Sequence, residues 1–168
     1  MEKRAKKKLF DLGLDSLKSK YETARKKYNL PAFALLNEQF EIERIADRET
    51  EMLLREVRKS ITEKAVAFLR FLELMLNPSN APFFMFTIIK NLNSPDKKII
   101  EQIDERLCEF EIKAISLDLK YNETKEADFI KFASREWKSM EGQFTELDEI
   151  ITRAWKSSSK KKERDYFG

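Results

Sequence analysis

The segment LREVRKSITEKAVAFLRFLELM, from Leu54 to Met75, contains the clearest structural signal in the chain. Its apolar residues recur at steps of three and four, the spacing that places side chains on one side of an α-helix. These residues are Leu54, Val57, Ile61, Ala65, Phe68, Leu72 and Met75. The segment therefore predicts an amphipathic helix whose apolar stripe faces a core.

Similar patterns cover most of the 168 residues, and the chain has only 3 glycines and 4 prolines. This composition predicts an all-α protein, because good helix formers run uninterrupted between the few breakers. No breaker separates Pro31 from Leu76, so we expect one long central helix there. The predicted fold is a single-domain bundle of four to five helices over residues 1–155, followed by a disordered basic tail at 156–168.

Three boundaries follow from local residues. The first helix should end near Tyr28, before the breaker Pro31. Ser94 is expected to cap the next long helix, with Pro95 after it. That helix either continues past Asn122 or is interrupted there.

The segment APFFMFTIIKNL, Ala81 to Leu92, is apolar nearly all round, in a chain that is 38% charged. A helix that is hydrophobic on every side is usually buried, so we expect the Phe83 to Ile89 helix at the centre of the core. Two alternatives remain, in which it docks a protein partner or contacts a membrane surface. The membrane alternative is the weaker one, because Lys90 alone does not provide a cationic face.

The last predicted helix, Thr124 to Trp155, has the most regular apolar seam. Its members alternate steps of three and four, as in coiled coils and helical bundles. They are Ile130, Ala133, Trp137, Met140, Phe144, Leu147, Ile151 and Ala154. The seam could pack within the chain or against a second chain, so Trp137, Phe144 and Ile151 are candidate partner-binding residues.

Several classes of chemistry are excluded by residue counts. The chain has no histidine, which removes Ser-His-Asp and Cys-His nucleophilic sites and His-ligated zinc. Neither glycine-rich phosphate-binding motif occurs, and the single cysteine, Cys108, has no recognisable activating partner. We predict no enzymatic activity, no cofactor and no metal site.

Glu43, Asp47 and Glu51 are the one carboxylate array to weigh as a cation site, because steps of four would align them on a helix. Arginines are interleaved among them, which favours a solvated face of ion pairs over a metal site.

Charge is segregated along the chain. Residues 1–30 carry ten Lys/Arg against four acids, residues 31–155 carry eighteen against twenty-four, and residues 156–168 carry five against two. Both ends are therefore basic and the body is acidic. Mobile cations of this kind neutralise phosphates, which makes ten of them candidate nucleic-acid-binding residues. They are Lys3, Arg4, Lys6, Lys7, Lys8, Lys156, Lys160, Lys161, Lys162 and Arg164, and Tyr166 and Phe167 beside them could stack on bases.

These observations predict a non-catalytic helical accessory or scaffold subunit of a nucleic-acid-associated complex. It would bind phosphates (DNA or RNA) through its basic ends, and a protein partner or a second copy through helix faces. The alternative is a purely protein-binding adaptor or structural oligomer whose basic ends only maintain solubility. We expect a cytoplasmic location and no membrane partner, since the longest charge-free run is shorter than the ~20 residues of a membrane span.

Overall fold

The structure, a computed structural model, describes the backbone of residues 2–48 and 50–165 and the side chains of 12–48, 50–79 and 81–157. Every regular element in this part of the chain is helical, which confirms the all-α prediction. The described residues form α1 (Glu2–Tyr28), α2 (Phe33–Phe40), α3 (Leu53–Leu76), α4 (Phe83–Ile89), α5 (Ser94–Leu119), α6 (Glu123–Ser139) and α7 (Glu141–Asp165), with 3₁₀ turns at Ile42–Ile45 and Pro78–Asn80.

The continuous central helix from Pro31 to Leu76 was a wrong prediction, because α2 ends at Phe40. Glu41 adopts left-handed backbone geometry, with φ at 54°, and its N–H donates to the Asn37 carbonyl at 2.8 Å. The Asn37 side chain then accepts a hydrogen bond from the Glu43 N–H at 2.8 Å and donates one to the Glu43 carboxylate at 3.0 Å. The Glu41 bond is the last helical one, and the two bonds of the Asn37 side chain hold the turn that follows.

The predicted Thr124 to Trp155 helix is likewise two helices. Helix α6 ends at Ser139 and α7 begins at Glu141. Met140 lies between them, and its carbonyl accepts the N–H of Phe144 at 2.9 Å. Together with the division at Glu41, this break explains why the described chain has seven α-helices and not four to five.

The other predicted helix ends lie close to those of the structure, although one capping residue differs. Helix α1 ends at Tyr28 as expected, and α5 is interrupted before Asn122, whose side chain caps α6 by accepting the Lys125 N–H at 3.0 Å. The cap of α5 is Asn93 and not Ser94. The Asn93 side chain accepts the Asp96 N–H at 2.9 Å, while the Asp96 carboxylate accepts the Asn93 N–H at 3.0 Å.

The helices divide into two compact units. Unit 1 comprises Met1–Ala65 and Phe110–Lys138, and unit 2 comprises Val66–Glu109 and Ser139–Gly168. Of these ranges, only the residues stated above are described. The predicted limit of the folded domain at residue 155 stays a prediction.

Aromatic rings fill much of the core of unit 1. Trp137 lies edge-on to Phe40, with ring centroids 5.0 Å apart, and to Phe110 at 6.5 Å. Phe110 also meets Phe132 at 5.4 Å. Such pairs contribute about 0.5–1.5 kcal/mol each beyond the area that they bury. They join α2, α5 and α6.

An ion cluster is buried in the same unit. Arg58 of α3 is 1% exposed and Glu126 of α6 is 0% exposed. The Arg58 guanidinium donates to Glu126 at 2.7 Å and to Asp118 of α5 at 2.5 Å. Burial raises the pKa of Glu126, and the charge and hydrogen bond of Arg58 act in the opposite direction. The second carboxylate oxygen of Glu126, Oε1, is buried without a hydrogen-bond partner.

In unit 2, α4 packs against α7, and side chains of α7 in turn contact α3 and α5. Phe68 and Phe144 face each other with ring centroids 5.8 Å apart. Arg106 of α5 donates to Gln143 of α7 at 3.0 Å, and Arg153 of α7 pairs with Asp96 of α5 at 2.5 Å. These polar contacts fix α7 beside α5 over several turns.

Two glycines offer a matched test of the packing of α1. A Cβ on Gly13 would lie 2.6 Å from the Ala46 carbonyl oxygen, whereas a Cβ on Gly142 would meet nothing within 4 Å. We expect Gly13→Ala to destabilise the protein although alanine is the better helix former, because a backbone atom must move. Gly142→Ala should stabilise it by up to about 1 kcal/mol. Urea unfolding of both variants checks this, and stabilisation by Gly13→Ala would contradict the close approach of α1 to Ala46.

Removing Arg58 should be among the most damaging single changes. We expect Arg58→Met to lower the free energy of unfolding by about 3–5 kcal/mol near neutral pH, because Glu126 is left as a buried unpaired charge. The matched double variant Arg58→Met/Glu126→Met should recover most of this loss.

The pH dependence of the single variant checks the cause of the loss. Without the guanidinium, the pKa of Glu126 in the folded state should rise further above its unfolded value. The folded state then binds a proton that the unfolded state does not, so stability falls as pH rises through the folded pKa. The deficit of Arg58→Met against the wild type should therefore be smaller at about pH 5 than at about pH 8. Equal losses in the single and double variants would contradict this account.

Candidate nucleic-acid interface

The cations predicted at the N-terminus lie in α1. Lys3, Arg4, Lys6, Lys7 and Lys8 belong to its helical backbone, and their side chains are outside those that the structure describes. The structure thus gives these residues a helical spacing without showing which groups they contact.

The predicted disordered tail at 156–168 was wrong over residues 156–165, which continue α7 as a helix. Lys156 is exposed, and Lys160, Lys161, Lys162 and Arg164 lie in helical backbone with side chains outside the described set. Lysine, arginine and glutamate are good helix formers, and cations near a helix C-terminus interact favourably with the helix dipole. The predicted aromatics Tyr166 and Phe167 lie outside the described residues.

The helical backbone gives these cations an order that a tail would lack. Arg153, Lys156, Lys160 and Arg164 follow one another at steps of three, four and four. This spacing belongs to one side of an α-helix, and eleven residues of helix cover about 16 Å. Arg153 pairs with Asp96, so we call the other three, Lys156, Lys160 and Arg164, the α7 cations.

Helix α4 is not the buried core helix that we expected. Met85 and Ile88 are buried, but Phe83 is 83% exposed, Phe84 is 52% exposed, and Phe86 is also exposed. The helix has only seven residues in two turns. One side of it packs against the rest of unit 2, and the other side faces outward. The outward side is aromatic, which leaves the docking alternative as the better interpretation of this segment.

The end of α4 lies beside the basic half of α7. Helix α4 packs against α7, and the Asn91 side chain, just after α4, donates to the Ala154 carbonyl at 3.0 Å. The next residues of α7 are Trp155, which is 49% exposed, and Lys156. Exposed aromatic rings and exposed cations therefore share one region of unit 2.

The segment around α4 contains no acid, whereas α7 carries the exposed acids Asp148 and Glu149 just before Arg153. Lys90 is the only charged residue in the sequence between Glu73 and Asp96. Asp96 itself is buried, and burial would raise its pKa, but hydrogen bonds from Arg153 and the Asn93 backbone, with the Arg153 charge, lower the pKa overall. Asp96 is therefore ionised at neutral pH and its charge is balanced by Arg153.

The predicted partner-binding residues lie on the inner sides of their helices. Trp137 is buried in unit 1 against Phe40 and Phe110, and Phe144 is half-buried against Phe68. Ile151 is half-buried on α7. A contact of these residues with a second chain stays a prediction.

The array of Glu43, Asp47 and Glu51 does not share a helix face, because the chain leaves helical geometry after Ile45 and α3 begins only at Leu53. Its neighbouring arginines do form ion pairs, but with other acids: Arg44 with Glu41 and Arg48 with Glu56. Among the residues described, no group of three or more Cys, Asp or Glu side chains is arranged to hold a metal ion.

Sequence reasoning missed the aromatic surface of α4, although its residues were noticed. The signal that could have indicated it is length: the segment between Pro82 and Asn91 allows about two helical turns, which cannot bury six large apolar residues on one side. It also missed a stripe on α5, where Ile112, Ile115 and Leu119 are exposed at helical spacing.

Comparison with known protein families, with curated proteins and with solved structures finds no match to this chain. Within the described ranges, no helix has both the length and the apolar character of a membrane span. The function of the chain is therefore inferred from its own side chains.

Paired substitutions on α4 test which of its sides is outward. Phe83→Ser should change the melting temperature little, because surface substitutions usually alter stability by less than about 0.5 kcal/mol. Met85→Ser should cost about 2–5 kcal/mol, because it removes a buried side chain of similar size and leaves a cavity. Thermal unfolding followed by circular dichroism distinguishes the two. Equally large losses of stability in both variants would indicate that α4 is buried on both sides.

Proposed function

We propose that this chain is a non-catalytic accessory or scaffold subunit of a nucleic-acid-associated complex. The α7 cations and the basic start of α1 bind phosphates, and helix faces bind a protein partner or a second copy. The observation that carries the proposal is the helical continuation of α7 past Ala154, its last buried residue among those described. This segment places cations at regular helical spacing, and it follows the part of α7 that packs against α4, whose surrounding sequence from 74 to 95 contains no acid.

The charge layout supports the same function. From Arg153 to Asp165, six Lys or Arg residues stand against two acids, whereas the body of the chain is acidic. An acidic body is repelled by a polyanion, so binding would be directed to the basic ends. A non-specific contact with phosphates would also fit an accessory subunit, since such contacts position a protein without reading sequence.

A second candidate is the purely protein-binding adaptor. The α5 stripe of Ile112, Ile115 and Leu119 favours it, because three exposed aliphatic residues at steps of three and four form an apolar ridge on a helix. The ridge is compatible with an accessory subunit as well. The two functions differ in whether nucleic acid is bound at all.

Salt-dependent binding tests the proposal. The triple variant Lys156→Gln/Lys160→Gln/Arg164→Gln should keep the wild-type melting temperature and weaken binding to single-stranded DNA. Its slope of log K against log salt should be smaller by about 2, since each lost phosphate contact removes about 0.7 for a single strand. Fluorescence anisotropy of a labelled oligonucleotide over a salt series gives the slope.

The control variant neutralises three exposed lysines of unit 1, Lys120, Lys125 and Lys138. It carries the same charge change and should leave the slope nearly unchanged. If both triple variants weaken binding alike, only net charge matters and the α7 cations are not a site. If the intact protein binds no nucleic acid at low salt, the adaptor is the better function.

A further inference from the structure

The exposed large hydrophobic residues of α4 and of the part of α7 that packs beside it are Phe83, Phe84, Phe86 and Trp155, which we call the aromatic patch. Every large hydrophobic residue that is exposed among the described residues of unit 2 belongs to it. In the described part of unit 1 the exposed large hydrophobics are mainly aliphatic: Leu12, Met52, Ile112, Ile115, Leu119 and Tyr121. The outward surface of unit 2 is thus selectively aromatic.

Aromatic and aliphatic side chains suit different ligands. Aliphatic residues contribute to contacts with protein cores and lipid chains, but only a ring offers a flat π-face on which a nucleobase can stack. Helices that insert into lipid usually carry leucine beside their rings, whereas protein interfaces are themselves enriched in aromatic residues. The rings of this patch therefore provide π-faces for stacking, and the charges around them indicate which class of ligand they bind.

The charges around the patch favour a polyanion. Lys90 and Lys156 are exposed at its border, and further cations follow Lys156 along α7. Asp96 is buried against Arg153, and the exposed acid Glu149 lies one helical turn before Arg153. A ligand with planar rings and phosphates would therefore find aromatic rings for its planar groups and cations for its phosphates. In a duplex the faces of the bases are covered by their neighbours, whereas a single strand can turn its bases outward.

We propose that the aromatic patch stacks on the unpaired bases of single-stranded nucleic acid while the α7 cations bind its phosphates. This inference rests on the proposed function and adds to it the class of nucleic acid that unit 2 prefers. Binding should tolerate changes of sequence, because every base has a π-face.

The test separates stacking from plain hydrophobic contact. The double variant Phe83→Leu/Phe84→Leu keeps the apolar character of the patch and removes two rings. Its affinity for an oligothymidylate of about 20 nucleotides should fall about tenfold or more, since stacking on each ring contributes substantially to single-strand binding. Its affinity for a duplex of the same length should change less than about twofold, and its salt slope should equal that of the wild type. Anisotropy of both labelled probes measures this.

A matched control replaces aliphatic residues of the α5 stripe, Ile112→Ser/Ile115→Ser, which should not affect either probe. A second readout uses the tryptophans. Oligothymidylate should quench part of the wild-type fluorescence, and the quenching should be absent in Trp155→Phe, where only the buried Trp137 remains. Melting temperatures confirm that each variant is folded.

Each outcome bears on one of the two claims. If the leucine variant binds the oligothymidylate as tightly as the wild type, the stacking inference is wrong, while salt-dependent binding by the wild type would still support the proposed function. If the wild type binds neither probe at low salt, the proposed function itself fails. If the wild type instead binds vesicles containing anionic phosphatidylserine and no oligonucleotide, the patch is a membrane contact, which overturns the inference.

Discussion

The packing of unit 1 depends on neutralising one buried charge. Arg58 is the largest side chain among those that are almost fully buried, and its two carboxylate partners stand on either side of the break between α5 and α6. Asp118 comes from the end of α5 and Glu126 from the first turns of α6. Since both acids must reach the same guanidinium, the chain has to reverse between them, and the Asn122 cap provides the turn. The geometry of α5 and α6 is therefore set by charge compensation together with apolar burial.

Unit 2 illustrates a different constraint, the limited surface of a short helix. Two turns of α4 can bury Met85 and Ile88 and no more, yet the segment also contains three phenylalanines. Exposing large aromatic rings does not help folding, and soluble proteins rarely concentrate them on one surface without a partner. This is the physical reason for looking to binding, and not to the core, for the role of α4.

The sequence predicted helices well where apolar stripes were long and caps were local. The stripe from Leu54 to Met75 became α3, and the end of α1 at Tyr28 followed from nearby turn residues. The break at Asn122 was one of two alternatives that the sequence left open. The break at Glu41 was not predictable from breakers, because it contains neither glycine nor proline and depends on the Asn37 side chain reaching the backbone six residues further on. The continuation of α7 was missed because helix propensity and dipole effects, unlike burial, leave no apolar pattern.

The candidate site likewise combines features that could be predicted from the sequence with features that could not. Its cations were evident from composition, since clustered lysines near a terminus are visible in any sequence. The aromatic patch was not, because whether an apolar residue is core or surface depends on how many residues its helix has and on which neighbours cover it. Only the packing of α4 beside Ala154 brought the rings and the cations together.

Helical order in α7 changes what such cations can do. A disordered tail loses conformational entropy when it binds, and its charges can adapt to any phosphate arrangement, so it distinguishes nucleic acids poorly. A helix has already lost that entropy, and it holds its first cations at a fixed place relative to the rings. Phosphate contacts weaken with salt because they release counterions, whereas stacking has no such dependence. Binding that persists as salt rises would therefore come increasingly from the aromatic patch, and so would any preference between single strands and duplexes.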